Sequence, residues 1–145
     1  MKKQYQIGYT TGVFDLFHVG HLNLLERCKE YCEKLIVGVC TDEYSLETKN
    51  KLPVIPYHER ARIIESLKCV DHVVPMRETD KLVAWNNLHF NVLFSGDDWK
   101  GSERYQKTEE QFSSLGVDIV YFPYTTGIST TAIRGKIMSN NEESA

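Results

Sequence analysis

The run LIVGVC at residues 35–40 is continuously apolar, the pattern of a strand that is buried on both faces of a sheet. Further apolar runs at residues 5–11, 70–75, 91–95 and 118–122 predict four more strands. Strands with both faces buried are typical of parallel sheets, whose connections cross over through helices. These runs therefore predict an α/β fold.

Segments with helical periodicity lie between the predicted strands. They cover residues 19–32, 58–68, 80–88, 103–115 and 129–138. Gly116 is expected to cap the fourth of these helices, and residues 139–145 to form a frayed polar tail. Residues 41–51 are polar, and no helix or strand is assigned to them. The alternation predicts one domain, residues 1–138, built on an open parallel five-stranded sheet with helices on both faces.

The composition is that of an ordinary globular domain, with 145 residues of which 41% are apolar and 26% charged. A formal net charge of −3 gives no support to a nucleic-acid binder. No apolar run approaches the roughly 18 residues that span a bilayer, so we expect no membrane insertion and a cytoplasmic location. The cysteines match no zinc or redox spacing and are expected to be reduced, with Cys28 and Cys32 on one helix face.

A pair of histidines, His18 and His21, follows the first predicted strand at the start of a helix. Ligands of open parallel sheets bind beyond the carboxyl ends of the strands. The N-terminus of a helix favours anions, and Gly20 between the histidines leaves room for a phosphate to approach the backbone. The pattern indicates a phosphate site. A zinc site is the weaker interpretation, because no third ligand is evident beside the pair.

A second cluster of polar residues, TTGISTT at residues 125–131, opens the last predicted helix. Hydroxyl groups at a helix start usually satisfy the free N–H groups of the first turn. Here the hydroxyls around Gly127 exceed what capping requires, which indicates a second phosphate cradle. The sequence GDDW at residues 96–99 adds carboxylates and an aromatic ring at the same edge of the sheet.

Together, GVFDLFHVGH at residues 12–21 and GISTT at residues 127–131 resemble the signature pair of the cytidylyltransferase family. The length and the GDDW sequence are most similar to the small bacterial glycerol-3-phosphate cytidylyltransferases, and the resemblance covers residues 7–137. It implies a Rossmann-like nucleotidyltransferase fold and transfer of CMP from CTP to a phosphorylated alcohol, first of all glycerol 3-phosphate. It also implies Mg²⁺ bound mainly through the nucleotide phosphates, a homodimer, and a CDP-glycerol product for wall or capsule synthesis.

The resemblance also implies roles for individual residues. His18, His21 and Lys49 are expected to stabilise charge in the transition state, with Lys51 as an alternative to Lys49. The residues expected to bind the nucleotide are Thr11, Gly12, Phe14, Asp15, Gly20, Asp97, Gly127, Ile128, Ser129 and Thr130. The residues expected to bind the acceptor are Arg60, Lys68 and Trp99. No side chain is expected to ligate a metal directly.

The sequence departs from the family pattern at several positions. Tyr124 stands where relatives usually carry an arginine that binds the triphosphate, so another cation, Arg134, Lys49 or Lys51, must offset that charge. Lys68 stands where close relatives often carry an arginine, and lysine does not replace arginine in bidentate phosphate binding. Ribitol, ethanolamine and choline phosphates therefore remain open as acceptors.

Two other functions remain open from the sequence. Adenylyltransferases share the paired histidines, so the same fold using ATP is one alternative. The other is a nucleotide-binding regulatory module without turnover, to which the change at Tyr124 points.

Overall fold

The computed structural model describes residues 3–96, 100–123 and 130–144, with side chains up to residue 139. Strands and helices alternate through most of this range. In chain order the elements are β1 (Tyr5–Gly12), α1 (Val19–Tyr31), β2 (Cys32–Cys40), α2 (Asp42–Lys49), α3 (Tyr57–Glu65), β3 (His72–Met76), α4 (Lys81–Leu88), β4 (Val92–Gly96), α5 (Glu103–Ser113), β5 (Asp118–Phe122) and α6 (Thr130–Ser144).

The strands form a five-stranded sheet in the order β3-β2-β1-β4-β5, and every neighbouring pair is parallel. The central strand is β1, where Tyr9 lies in register with Ile36 of β2 on one side and Leu93 of β4 on the other. This confirms the predicted α/β fold. The chain runs outward from β1 through β2 to β3, then returns to the other side of β1 for β4 and β5.

Each face of the sheet packs against helices, and the alternation of side chains along β2 shows it. Leu35, Val37 and Val39 belong to one buried cluster, which also contains Leu25 of α1 and Ile64 of α3. The neighbouring residue Ile36 belongs to a second cluster on the opposite face, together with Phe112 of α5 and Leu82 of α4. The central strands are therefore buried on both sides, which is the physical reason for their unbroken apolar runs.

Two predicted features between β1 and α3 were wrong. The first helix stops at Tyr31, and Cys32 is the first residue of β2, where its thiol donates a hydrogen bond to the Cys28 carbonyl at 3.4 Å. The polar segment 41–51 contains helix α2. Thr41 is its N-cap, and the Thr41 side chain accepts a hydrogen bond from the Tyr44 N–H. This helix ends at Asn50, whose φ of 52° is left-handed.

The C-terminal boundaries also differ from the prediction. The cap of α5 is Ser114, and Gly116 lies in the following turn with a φ of 74°. Helix α6 extends to Ser144, so the segment expected to be frayed is helical as far as that residue. Within the described ranges, no helix combines the length and apolar character needed to cross a bilayer.

Candidate active site

The sheet reverses its winding between β1 and β4, and the candidate site lies beyond the carboxyl ends of these strands. Thr11 and Gly12 form the last part of β1, and the loop after them carries the histidines into α1. A Cβ atom on Gly12 would lie 2.8 Å from the Phe14 ring. Glycine at this position therefore allows Phe14 to fold back over the end of the strand.

The histidine pair is built into the first turn of α1. His18 is the N-cap, and its Nδ1 accepts a hydrogen bond from the Gly20 N–H at 3.1 Å. The Nδ1 atom of His21 accepts from the His18 N–H at 3.4 Å. The rings stack with their centroids 3.8 Å apart, and the His21 ring also contacts Phe14 at 5.4 Å and Phe17 at 5.5 Å.

These contacts determine the protonation of both rings. Burial lowers the pKa of His18 below its usual value. Burial, together with the nearby His18, lowers the pKa of His21 to about 4, against an opposing effect of Asp15. Both imidazoles are therefore neutral at pH 7. Since each Nδ1 accepts a backbone N–H, each ring carries its proton on Nε2.

The Nε2 atom of His18 is buried and has no hydrogen-bond partner among the described residues. A buried donor without an acceptor destabilises a protein, so such atoms need an explanation. The atom lies at the start of a helix, where backbone dipoles favour negative charge. An anionic oxygen would satisfy it. The site thus offers a neutral N–H donor to an anion.

Asp15 is nearly fully buried, with 4% of its surface exposed. Its carboxylate accepts N–H groups from Leu16, Val54 and Ile55 and pairs with Arg134 at 2.7 Å. Burial raises its pKa, but the donors from Ile55, Val54 and Arg134 outweigh that effect and hold the pKa below its usual value. The carboxylate is therefore committed to protein donors. The structure shows a structural role for this carboxylate, and its expected contact with nucleotide stays a prediction.

Thr130 and Arg134 bring α6 to the loop after β1. The Thr130 hydroxyl donates to the Asp15 carbonyl oxygen at 2.8 Å. It was expected to bind the triphosphate, and here it anchors the first turn of α6. Arg134, considered as a cation for the phosphates, is paired with the Asp15 carboxylate instead.

Arg60 was expected to contact the acceptor, and in this structure its hydrogen bonds go to protein groups. Its side chain is 1% exposed. Its guanidinium donates to the carbonyl oxygens of Ile55, Val13 and Cys40 and pairs with Asp42 at 2.6 Å. These contacts join the ends of β1 and β2 to α2 and α3. Arg60 therefore stabilises the elements that carry the candidate site.

The two lysines expected at the site lie in different places. Lys49 is the last residue of α2, exposed, and close enough to Cys40 at the carboxyl end of β2 to influence its thiol. Lys68 precedes β3, where Asp71 N–H bonds to the Leu35 carbonyl near the amino end of β2. The sheet therefore separates Lys68 from the histidine pair.

Several expected site residues lie outside the described part of the chain. They are Asp97, Trp99, Gly127, Ile128 and Ser129. Their roles stay predictions of the resemblance.

Sequence reasoning missed Lys81, which lines a cavity of about 320 Å³ between the carboxyl end of β3 and α4. Its side chain is 8% exposed, its ammonium lies 3.9 Å from the Met76 sulfur, and burial lowers its pKa to about 8. The sequence does carry a signal for this residue. Lys81 directly follows Asp80, the N-cap of α4, and a cation is unfavourable at the start of a helix. A lysine kept there despite burial and dipole is suited to meet an anion.

Comparison with known proteins assigns the chain to a family. The profile of the family described as cytidylyltransferase-like matches residues 9–136. The chain belongs to the cytidylyltransferase-like family. It is 37% identical to the glycerol-3-phosphate cytidylyltransferase of Bacillus spizizenii, over 90% of this chain and 95% of that protein. It is 32% identical to the protein of the same name from Staphylococcus aureus, over 88% of this chain and 92% of that one.

A solved structure is similar to this cytidylyltransferase-like chain in both fold and sequence. The lipopolysaccharide core biosynthesis protein of Thermoplasma volcanium superposes with a TM-score of 0.72 at 27% identity, covering 83% of this chain and 98% of that one. In the described residues of this family member, no group of three or more His, Cys, Asp or Glu side chains could hold a metal ion.

Proposed function

We propose that this chain transfers CMP from CTP to glycerol 3-phosphate, giving CDP-glycerol and pyrophosphate. The observation that carries the proposal is the buried His18 Nε2 at the start of α1, a donor without an acceptor among the described residues. Membership of the family and the names of the relatives from Bacillus and Staphylococcus support the choice of reaction. The histidine pair lies at the start of a helix beyond the carboxyl edge of the sheet, where ligands of open parallel sheets bind. This placement supports the proposed reaction independently.

The chemistry requires no nucleophile from the protein. A phosphate oxygen of the acceptor attacks the α-phosphorus of CTP and forms the new P–O bond. The bond from that phosphorus to the bridging oxygen of the β-phosphate breaks, and the electron pair leaves with pyrophosphate. The acceptor is already an anion, so no proton has to be removed. Positioning and charge stabilisation are the main requirements.

The histidine pair meets these requirements as two neutral donors. With both Nδ1 atoms occupied by backbone N–H groups, the Nε2–H groups of His18 and His21 are left to bond phosphate oxygens. Capping fixes the ring orientations before the nucleotide arrives, which reduces the reorganisation needed during reaction. Lys49, exposed at the end of α2, supplies a positive charge near the carboxyl end of β2.

The cavity that contains Lys81 is the proposed site of the acceptor phosphate. Its wall combines this buried ammonium with Arg77 and Asn87, and Tyr9 of the central strand. A cation of low exposure binds an anion more strongly than a surface lysine does, because water screens it less. The remaining wall includes the acidic residues Glu78 and Asp80 and is otherwise apolar. The apolar part suits a small carbon skeleton better than a second nucleotide.

Other expectations remain proposals. Mg²⁺ would be held mainly by nucleotide oxygens. The four cysteines are free thiols, which supports a reducing compartment such as the cytoplasm. A homodimer and a role for the product in wall or capsule synthesis rest on family resemblance.

The decisive experiment measures pyrophosphate release with Mg²⁺ and either CTP or ATP. Each nucleotide is offered glycerol 3-phosphate, ribitol phosphate, ethanolamine phosphate and choline phosphate. We expect turnover with CTP and glycerol 3-phosphate only. Turnover with ATP in place of CTP would make the chain an adenylyltransferase. CTP binding without release for any acceptor would favour the regulatory module.

A further inference from the structure

Asp15 is the point at which three segments of the chain meet. Its carboxylate accepts the N–H groups of Val54 at 2.8 Å and Ile55 at 2.9 Å, both in the connection between α2 and α3. It also pairs with Arg134 of α6 at 2.7 Å. The carboxylate therefore ties both segments to the loop that follows β1.

This loop is held in a conformation that side chains rarely adopt. Phe14 and Leu16, on either side of Asp15, have φ values of 54° and 50°. Left-handed backbone at such residues is strained, and it persists only where surrounding contacts enforce it. Two residues after Leu16 comes His18, so the contacts that hold the loop also determine where the histidine pair lies.

The charge of Asp15 needs compensation at this place. The side chain of Asp15 is 5% exposed, and it is charged at neutral pH. An uncompensated carboxylate near a nucleotide triphosphate would repel it. The guanidinium of Arg134 supplies the opposite charge, while its own Nε is buried without a partner among the described residues. The ion pair is thus the main polar attachment of this side chain.

We propose that Arg134 is a positioning residue. Through Asp15 it holds two segments in the arrangement that receives the nucleotide: the strained loop after β1, which leads to the histidine pair, and the segment 50–56. The contact itself is independent of the proposed function, and its effect on CTP binding rests on that function. Arg134 is not required to touch the substrate, and this distinguishes it from a catalytic residue.

The first test follows hydrogen exchange in the protein without ligand. Arg134→Met removes the ion pair, Arg134→Lys keeps a cation, and Lys136→Met removes an equal charge from an exposed position on the same helix. We expect peptides covering residues 50–57 to exchange at least about fivefold faster in R134M and within about twofold of the wild type in R134K and K136M. Equal exchange in R134M and K136M would overturn the proposal.

The second test measures the dissociation constant of CTP by calorimetry for the same variants. R134M is expected to weaken binding about tenfold, and K136M less than about twofold. Combining R134M with Asp15→Asn separates positioning from direct contact. If Arg134 acts through Asp15, the double variant binds CTP no more weakly than the weaker single variant.

The outcomes distinguish the two proposals. Multiplying effects of D15N and R134M would mean that Arg134 contacts the nucleotide itself, and they would overturn the positioning role. Unchanged CTP affinity in R134M, with faster exchange, would overturn the claim that the contact prepares the site. If the wild-type chain binds no CTP, the proposed function fails, and the exchange comparison still decides whether Arg134 holds the loop.

Discussion

His18 combines a structural contact and its proposed chemical role in one ring, and the two can be separated by mutation. Its Nδ1 caps α1, and its Nε2 is the donor left for a ligand. The sequence motif predicted the helix start correctly. It did not predict which nitrogen faces the ligand, because that depends on the capping geometry.

Replacement of His18 by asparagine keeps the cap but, because the side chain is shorter, places no donor at the Nε2 position. Asparagine is a favourable N-cap residue, so the free energy of unfolding is expected to stay within about 1 kcal/mol of the wild type. Turnover is expected to fall at least about tenfold, equivalent to about 1.4 kcal/mol of transition-state stabilisation. His18→Ala, which loses both functions, serves as the comparison. Turnover of H18N near the wild-type level would contradict the assignment of Nε2.

The low pKa of His21 makes the stability of the protein depend on pH. The neutral ring is favoured in the folded state, with a pKa of about 4, whereas the unfolded chain takes up a proton below about 6.5. The unfolded state therefore binds more protons between these values. Stability is full above pH 6.5 and decreases as the pH falls.

Urea denaturation at pH 6.8 and pH 5.0 measures this dependence. We expect the wild type to lose on the order of 1 kcal/mol more than His21→Gln over this interval. The difference isolates His21 because all other groups are shared by the two proteins. Equal losses in both would show that the ring titrates normally.

At the scale of secondary structure, the strands were predictable and the long-range supports of the site were not. The five apolar runs lay close to β1 to β5, because burial on both faces leaves an unbroken signal. Helix α2 was missed because it is mostly polar and begins through a local cap at Thr41. The role of Arg60 depends on Val13 and Cys40, which are distant in sequence, so no local pattern reports it.

Arg60 is expected to matter for stability more than for substrate binding. Arg60→Met leaves the carbonyl oxygens of Ile55, Val13 and Cys40 and the Asp42 carboxylate without their donors. Breaking a buried pair in this way typically costs about 3–5 kcal/mol.

The measurement is the unfolding free energy of R60M, with Asp42→Asn as a milder control, since the Asp42 side chain is 33% exposed. In the folded fraction, KM for glycerol 3-phosphate is expected to stay within about threefold of the wild type. A stable R60M protein with a large rise in that KM would restore the original interpretation of Arg60 as an acceptor ligand.

The start of α4 is where acceptor specificity is expected to lie. Lys81→Met removes the buried ammonium and keeps much of the side-chain volume. KM for glycerol 3-phosphate is expected to rise about tenfold or more, with KM for CTP changing less than about threefold. Lys107→Met, on the exposed surface of α5, controls for net charge. An equal rise in both KM values would place Lys81 at the nucleotide instead of the acceptor.

At the scale of the whole molecule, the sheet order collects distant segments at one edge. Asp15 and Arg134 are 119 positions apart and form an ion pair, and Thr130 bonds to the same loop. Among the described residues, few positive charges at the site are left unpaired to bind phosphate groups. Arg60 and Arg134 are paired with carboxylates, and the net charge of the chain is −3.

Because of this charge balance, we expect the proposed reaction to require a divalent cation. Two polyanions have to approach within bonding distance, and Lys49 and Lys81 do not neutralise them alone. No side-chain cluster among the described residues could hold a metal ion, so Mg²⁺ is expected to arrive with the nucleotide. Calorimetry should therefore detect no Mg²⁺ binding to the free protein at millimolar metal, and EDTA should abolish turnover until Mg²⁺ is restored. The contradicting outcome is full turnover in EDTA with no metal in the purified protein by elemental analysis. The protein would then have to balance the charge itself, and the exposed lysines of α2 and the segment 50–56 would be the groups to test.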